Sequence, residues 1–262
     1  RDRRKTKDIL LNIPISVITG LKAPIQNVGN VENRGWDLSL NWQDRVSEFD
    51  YGIKFNLSDV KNEVAYLGGT QEIIANNSII KIGHPIYSIY GYETEGIFQT
   101  PEEIENAPAQ FGSLQPGNIR YKDQLTVDTD GDGVMDAGDG VINADDRVII
   151  GDQFPRFTYG INLNAGYKGF DLGIDLQGVG KRDILLGGDL VFPLFNAGKI
   201  QKWHVQECWS PENTNAKFPI LAATSFGSND IQASDTWVFN GSYLRVRNIT
   251  LGYTLPKQLL SK

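Results

Sequence analysis

Asp128, Asp130 and Asp132 stand at alternate positions in the string Asp128-Thr129-Asp130-Gly131-Asp132-Gly133-Val134-Met135-Asp136-Ala137-Gly138-Asp139. Carboxylates spaced in this way can converge on one hard cation, a glycine at the sixth position permits the sharp turn, and the carbonyl at the seventh can coordinate. The pattern makes Asp128, Asp130, Asp132, the Val134 carbonyl, Asp136 (through water) and Asp139 a candidate ligand set for Ca2+, with Mg2+ the alternative. The twelfth position holds Asp139, whose arm is shorter than that of the bidentate Glu usual there. No amphipathic helices flank the loop, so a structural cation clip in a β protein is expected, not a pair of calcium-binding helix–loop–helix units. The competing reading is a solvated acidic loop made of good turn formers. Repulsion between carboxylates held within a few ångströms favours a cation or protonation. Asn143, Asp145 and Asp146, just beyond, either add ligands or cap the next strand.

Catalytic chemistry finds no comparable constellation. His84 and His204 are far apart, and His204 with Cys208 lacks a third metal ligand. Asp171 and Asp175 share one strand face, where carboxylates are more often solvated than an acid–base couple. The glycine-rich strings at 178–181 and 186–189 lack the spacing and the strand-to-helix setting of a phosphate loop. An enzyme is therefore not expected. Phe195, Trp203, Trp209 and Trp237 lie in one long connection. Aromatic faces stack on sugars, which makes these four candidate cargo contacts, although packing is the commoner use of such rings.

The elements around these residues alternate with period two. Trp36, Leu38, Leu40 and Trp42 fall on one face of 35–43, opposite Asp37, Ser39, Asn41 and Gln43. Segments 49–58, 157–166 and 170–178 repeat the design, with a tight connection at Tyr167-Lys168-Gly169. In 243–255 the parity changes, which predicts a bulge near Asn248. A further strand is expected over Lys5–Ile13. Short turns join the hairpins, whereas 59–153 and 179–241 are long connections, unusual in compact soluble domains. Short turns at one end and long loops at the other are what outer-membrane β-barrels show. If the turns are periplasmic, 35–43, 157–166 and 243–255 run inward, 49–58 and 170–178 run outward, and both long loops lie outside. Polar side chains then line a wet lumen, and Trp36, Trp42, Phe157, Tyr167, Phe170 and Tyr253 supply interfacial girdles. Periodicity alone fits a soluble β-sandwich equally well.

Composition narrows the classes. The 262 residues are 40% hydrophobic, enough for a folded chain, and a net charge of -7 argues against a nucleic-acid partner. Residues 93–152 hold 14 acidic side chains against 3 basic ones. The single cysteine forms no disulfide within the chain. No apolar run is long enough for a transmembrane helix, which leaves barrel strands open. No signal peptide with an apolar core opens the chain, so a barrel reading expects an internal or C-terminal segment of a longer protein.

Several strings, in order along nearly the whole chain, resemble the SusC/RagA-type TonB-dependent outer-membrane transporters. They are Asn27-Val28-Gly29-Asn30-Val31-Glu32-Asn33-Arg34-Gly35, residues 83–92 (GHPIYSIYGY), Glu95-Gly96-Ile97-Phe98-Gln99, 116–123 (PGNIRYKD), 143–151 (NADDRVIIG), Trp209-Ser210-Pro211-Glu212-Asn213-Thr214 and 243–253 (YLRVRNITLGY). Each is weak alone; the ordered series is specific. The resemblance implies an all-β, antiparallel transmembrane barrel of 22 strands, in the outer membrane of a Gram-negative bacterium. This chain would be one barrel segment, residues 1–262, of about six strands, without the plug or the final strands. It implies import of oligosaccharide or peptide, a SusD-like surface lipoprotein as lid, a TonB complex acting through a missing N-terminal part, and lipid around the barrel. The alternative is a soluble or surface-attached, calcium-stabilised β domain that binds glycans; a β-rich hydrolase comes third, without a catalytic set.

Overall fold

The computed structural model describes residues 2–12, 25–189, 191–195, 198–221 and 229–256. Strand β1 (Asp2–Asn12) is followed by β2 (Ile25–Val46) and, after a turn at Ser47, by β3 (Phe49–Leu67). Short elements come next: β4 (Glu72–Ala75), β5 (Ser78–Lys81), β6 (Ser88–Tyr92), β7 (Thr94–Ile97), helix α1 (Pro101–Glu105), β8 (Ile119–Tyr121) and β9 (Arg147–Gly151). The hairpin β10 (Arg156–Tyr167) and β11 (Phe170–Lys181) returns to long strands. It is followed by β12 (Asp183–Leu185), α2 (Lys202–Glu207), β13 (Val238–Asn240) and finally β14 (Tyr243–Tyr253).

Six strands form one antiparallel sheet in the order β1-β2-β3-β10-β11-β14. These are the six strands that the alternating patterns predict, in the predicted up-and-down sequence; Ile13 lies outside the described residues. The tight turn at Lys168-Gly169 has both residues at positive φ, 48° and 86°, the twist that lets a two-residue loop close a hairpin. The expected bulge is present. β14 skips Arg247, so that Asp175 pairs with Asn248 and Leu176 with Val246. Residues 59–67, which the sequence places in the first long connection, instead continue β3 and pair with β2 as far as Leu67↔Gly29. Charged and polar residues at 59–63 interrupt the apolar face on which a period-two signal depends.

Both faces of the sheet follow from register. Leu40, Phe55, Ile161, Leu176 and Val246 stand in one cross-strand row, and Trp42, Ile53, Leu163, Ile174 and Ile249 in the next. At the turn end Val46, Phe49, Tyr167, Phe170 and Tyr253 make another row, with the Phe170 and Tyr253 ring centroids 4.5 Å apart. This face is exposed or half-buried along its length. The opposite face carries Ser39, Asn56, Gly160, Gln177 and Arg245 in one row, and Asn41, Lys54, Asn162, Asp175 and Asn248 in the next.

The long connections are not irregular loops. β4, β5, β6 and β9 form a second sheet, and the 68–155 and 182–242 connections meet in a shared core. That core unites Tyr92, Ile119, Tyr121 and Ile142 from the first with Val191, Cys208, Phe218 and Trp237 from the second. A smaller core joins Leu11, Val31, Val64 and Leu67, beyond the apolar band, to Ile73 and Ile80 of the β4–β5 hairpin. Together they make a cap over the end of the sheet opposite the tight turns.

Candidate functional site

The polar face offers the most continuous functional surface. Its side chains point the same way because each strand alternates, and they meet because neighbouring strands keep register. Ser39 donates to the Asn56 side-chain Oδ1 at 2.8 Å, Asn162 donates to Asp175, and Arg245 donates to the Gln177 side-chain Oε1 at 3.0 Å. Two grooves of about 940 and 850 Å³ lie along this face. Their polar lining includes Asp37, Asn56, Asn162, Asp175, Gln177 and Asn248 in one, and Gln43, Asp50, Asn164, Asp171 and Thr250 in the other. The sheet is thus concave on its polar side and convex on its apolar side. A closed barrel continuing this curvature has a wet interior and an apolar exterior, the reverse of a soluble core. Asp171 and Asp175 both lie on the concave side, in the grooves, with no histidine beside them.

The acidic loop brings three of its six candidate ligands together. One carboxylate oxygen each from Asp128, Asp130 and Asp132 lies within 4.8 Å of the others. Two oxygens bound to one Ca2+ at about 2.4 Å stand no more than about 4.8 Å apart, so the donor set fits a shared ion. The turn is built by the same groups. Asp128 accepts the Gly131 and Gly133 amides at 2.7 and 2.8 Å, and Asp132 accepts the Val134 amide at 2.8 Å. Gly131 and Gly133 have φ of 78° and 88°, a region other residues enter at a cost. Asp136 instead receives the Thr129 amide and hydroxyl, and Asp139 receives the Val141 amide and the Asn143 side chain. These two stand outside the converging trio, and Val134 is exposed. Backbone donors hold the Asp128 carboxyl below the usual aspartate range, and Thr129 does the same for Asp136. Asn143 and Asp146 form a capping box at the short turn before β9, which selects the capping alternative for that group.

The four loop aromatics are packed. Trp237 is 1% exposed, stacks on Phe218 at 5.5 Å and donates its indole N–H to the Asp230 carbonyl at 2.8 Å. Trp209 is 7% exposed and donates to Gln99 at 2.9 Å. Trp203 sits edge-on to Phe218 at 4.9 Å, and Phe195 edge-on to Phe192 at 5.6 Å. Trp237 and Trp203 serve the cap core, where a ring gains more from burial than at a wet surface. Cys208 is buried in the same core, and burial pushes its thiol up to about 12. His204 is buried too, accepting the Gln201 amide and contacting the Val191 carbonyl. With neutral partners on both ring nitrogens it is a structural group.

Sequence reasoning missed the joint between the two connections. Buried Asp230 accepts the Ile119 amide at 2.8 Å and the Asn118 side-chain amide at 2.6 Å. Tyr121 donates to the Asn229 carbonyl at 2.5 Å, and Asn229 donates to the Ile119 carbonyl at 2.7 Å. Burial pushes the Asp230 carboxyl above its ordinary range, opposed by these N–H donors. Nothing in the spacing of Asn229-Asp230 marks such a clamp, because its partners lie more than a hundred residues away.

Comparison with known proteins agrees with this architecture. No family model matches the chain. TonB-dependent receptor P3 of Formosa agariphila is 30% identical over 98% of this chain and 25% of its own length. TonB-dependent receptor SusC of Bacteroides thetaiotaomicron is 26% identical over 96% of this chain and 23% of its own length. Two solved structures, of the RagAB peptide importer in a closed-closed state and of the RagAB peptide transporter, superpose with TM-scores of 0.72 and 0.73. Both are 25% identical and cover 99% of this chain and 27% of theirs. The chain therefore spans about a quarter of the length of the relatives it matches. Ordered strings, sheet topology and matches along nearly the whole chain coincide: the chain resembles the SusC/RagA-type TonB-dependent receptors over nearly its whole length, and its long sheet corresponds to a segment of their β-barrel.

Proposed function

We propose that this chain forms part of the wall and external cap of an outer-membrane barrel that imports nutrient oligomers, powered through TonB. The observation that carries the reading is the concave polar face set against a convex apolar face, with short turns at one end and a folded cap at the other. Relatives named as TonB-dependent receptors, and a solved neighbour named as a peptide importer, support it. In this reading the cap lies outside the cell, where a SusD-like lipoprotein closes over it. The cargo is an oligosaccharide or a peptide, bound by hydrogen bonds to the inner face and not transformed; the protein is a transporter without catalytic residues. Asp128, Asp130 and Asp132 hold a structural Ca2+ that orders the cap loop.

The test is single-cysteine labelling in outer membranes. Cys208 is buried with a raised thiol pKa and stays silent. Ser39→Cys, on the inner face, should react with a water-soluble thiol reagent, whereas Leu40→Cys should react only with a lipid-soluble one. Equal aqueous labelling at both positions would sink the barrel reading. Calorimetric titration of Ca2+ checks the loop: heat is expected from the parent, and none from Asp128→Asn/Asp130→Asn.

A further inference from the structure

The outward face of the sheet does not end at the apolar band. Along β2 the row positions Val46, Asp44 (which accepts the Tyr51 hydroxyl at 3.3 Å), Trp42, Leu40, Leu38 and Trp36 are followed on the same side by Arg34 and Glu32, because pairing with β3 runs unbroken from Val46↔Phe49 to Val31↔Val64. Opposite Arg34 stand Arg3 on β1 and Lys61 on β3, and opposite Glu32 stand Lys5 and Glu63. Contacts confirm that these side chains share a side. Arg3, Lys5 and Arg34 all reach Glu32, at 2.7, 2.7 and 2.9 Å, and Lys61 reaches Glu63 at 3.2 Å. Four cations thus face two carboxylates in a chain whose net charge is -7. The side chains of Arg3, Lys5, Arg34 and Lys61 remain 51–60% exposed, so each keeps donors free beyond its pairing.

Height decides what this cluster meets. The ten residue steps from Val46 to Trp36 rise roughly 33 Å, which a tilt of about 40° reduces to roughly 25 Å, the height of the apolar band of an outer-membrane barrel. Arg34 is two residues further, about 5 Å higher, at the level of lipid headgroups. Cargo passes on the other side of the wall, and the inner side of this stretch is closed by Val31 and Val64 in the smaller core.

The geometry points to Arg3, Lys5, Arg34 and Lys61 as a binding site for the phosphorylated headgroup of an outer-leaflet lipid, which would compete with Glu32 for the donors of three of these cations. Guanidinium groups match phosphate oxygens in a bidentate fork, and three of the four cations already share one oxyanion partner. A bound headgroup would pin β1–β3 at a defined depth. This inference rests on the barrel reading above.

The test uses the receptor at its natural length, extracted from outer membranes into neutral detergent and examined by native mass spectrometry. The probes are diphosphoryl lipid A, its dephosphorylated form and inorganic phosphate. The parent and an Arg45→Gln/Lys168→Gln control at the turn end should retain diphosphoryl lipid A, and Arg3→Gln/Lys5→Gln/Arg34→Gln should retain at least about tenfold less. Glu32→Gln keeps every cation and should retain as much as the parent or more, which guards against a triple variant that fails to assemble. Equal retention by the triple variant, equal binding of the dephosphorylated lipid, or displacement by inorganic phosphate would overturn the proposal while leaving the barrel reading intact. Absence of the parent from the outer-membrane fraction would overturn both.

Discussion

Asp230 and Ile119, 111 residues apart, are joined by a 2.8 Å hydrogen bond from the Ile119 amide to the Asp230 carboxylate, inside the core shared by the two connections. Replacing the carboxylate with Asp230→Ala takes the acceptor from that amide and from the Asn118 side-chain NH2 in a buried place. Each such loss costs about 1–3 kcal/mol. The cap should become protease-sensitive at its 182–242 half while the barrel strands stay protected. Limited proteolysis of receptor in detergent reads this directly, and an unchanged digestion pattern would refute it.

Acid should loosen the metal-type loop. The folded Asp128 and Asp136 carboxyls titrate below their ordinary value. Their contribution is therefore complete above the unfolded value of about 3.9 and disappears as pH falls through the lower folded value. Amide exchange at Gly131 and Gly133, corrected for its intrinsic pH dependence, should stay protected at pH 5 and rise only below about pH 4. Early loss near neutrality would contradict the hydrogen bonding described.

Gly133→Ala should weaken the same loop through its backbone, since φ is 88° there. The left-handed penalty is about 1–2 kcal/mol. Ca2+ affinity measured by calorimetry should fall by roughly tenfold, with no change in barrel assembly.

The two faces of the barrel wall should respond oppositely to charge. Ile174→Arg places a cation on the convex side, in the row between Leu163 and Ile249. Arginine at mid-membrane costs about 2–4 kcal/mol. Asn164→Arg, on the concave side, faces water and should assemble normally. Heat-modifiable migration of outer-membrane fractions separates the two; equal yields would argue against the orientation.

Trp237→Ala should cost about 3–5 kcal/mol within the cap, because the ring is buried between Phe192 and Phe218. Thermal unfolding followed by the cap's near-ultraviolet dichroism should drop well before the barrel transition. Loss of cargo binding without that drop would return Trp237 to the role of a direct contact.

The strands were legible because alternation is a local property. Trp36 to Trp42 and Phe170 to Leu176 announce two faces without reference to any partner. Even the bulge at Arg247 showed as a change of parity. The cap was legible only as length. Tyr92, Cys208 and Trp237 meet in it from three distant segments, and no periodicity links them. The acidic trio showed in the spacing, whereas the diversion of Asp136 to Thr129 did not, since it depends on how the loop folds back through the Val127–Ala137 bridge. The basic cluster around Glu32 lay hidden because its members come from three strands and join only in register.

The shared core of the cap also orders events in time. Its first half leaves the wall after β3 and its second after β11, so the tyrosines at 92 and 121 must wait, partly uncovered, until the β10–β11 hairpin is laid down and Trp237 arrives. A wall missing that hairpin, or one with a slipped hairpin, presents Asp230 at the wrong place and leaves the aromatic cluster open. Closure of the cap is in effect an inspection of the wall beneath it, passed only when the strands on both sides are in step.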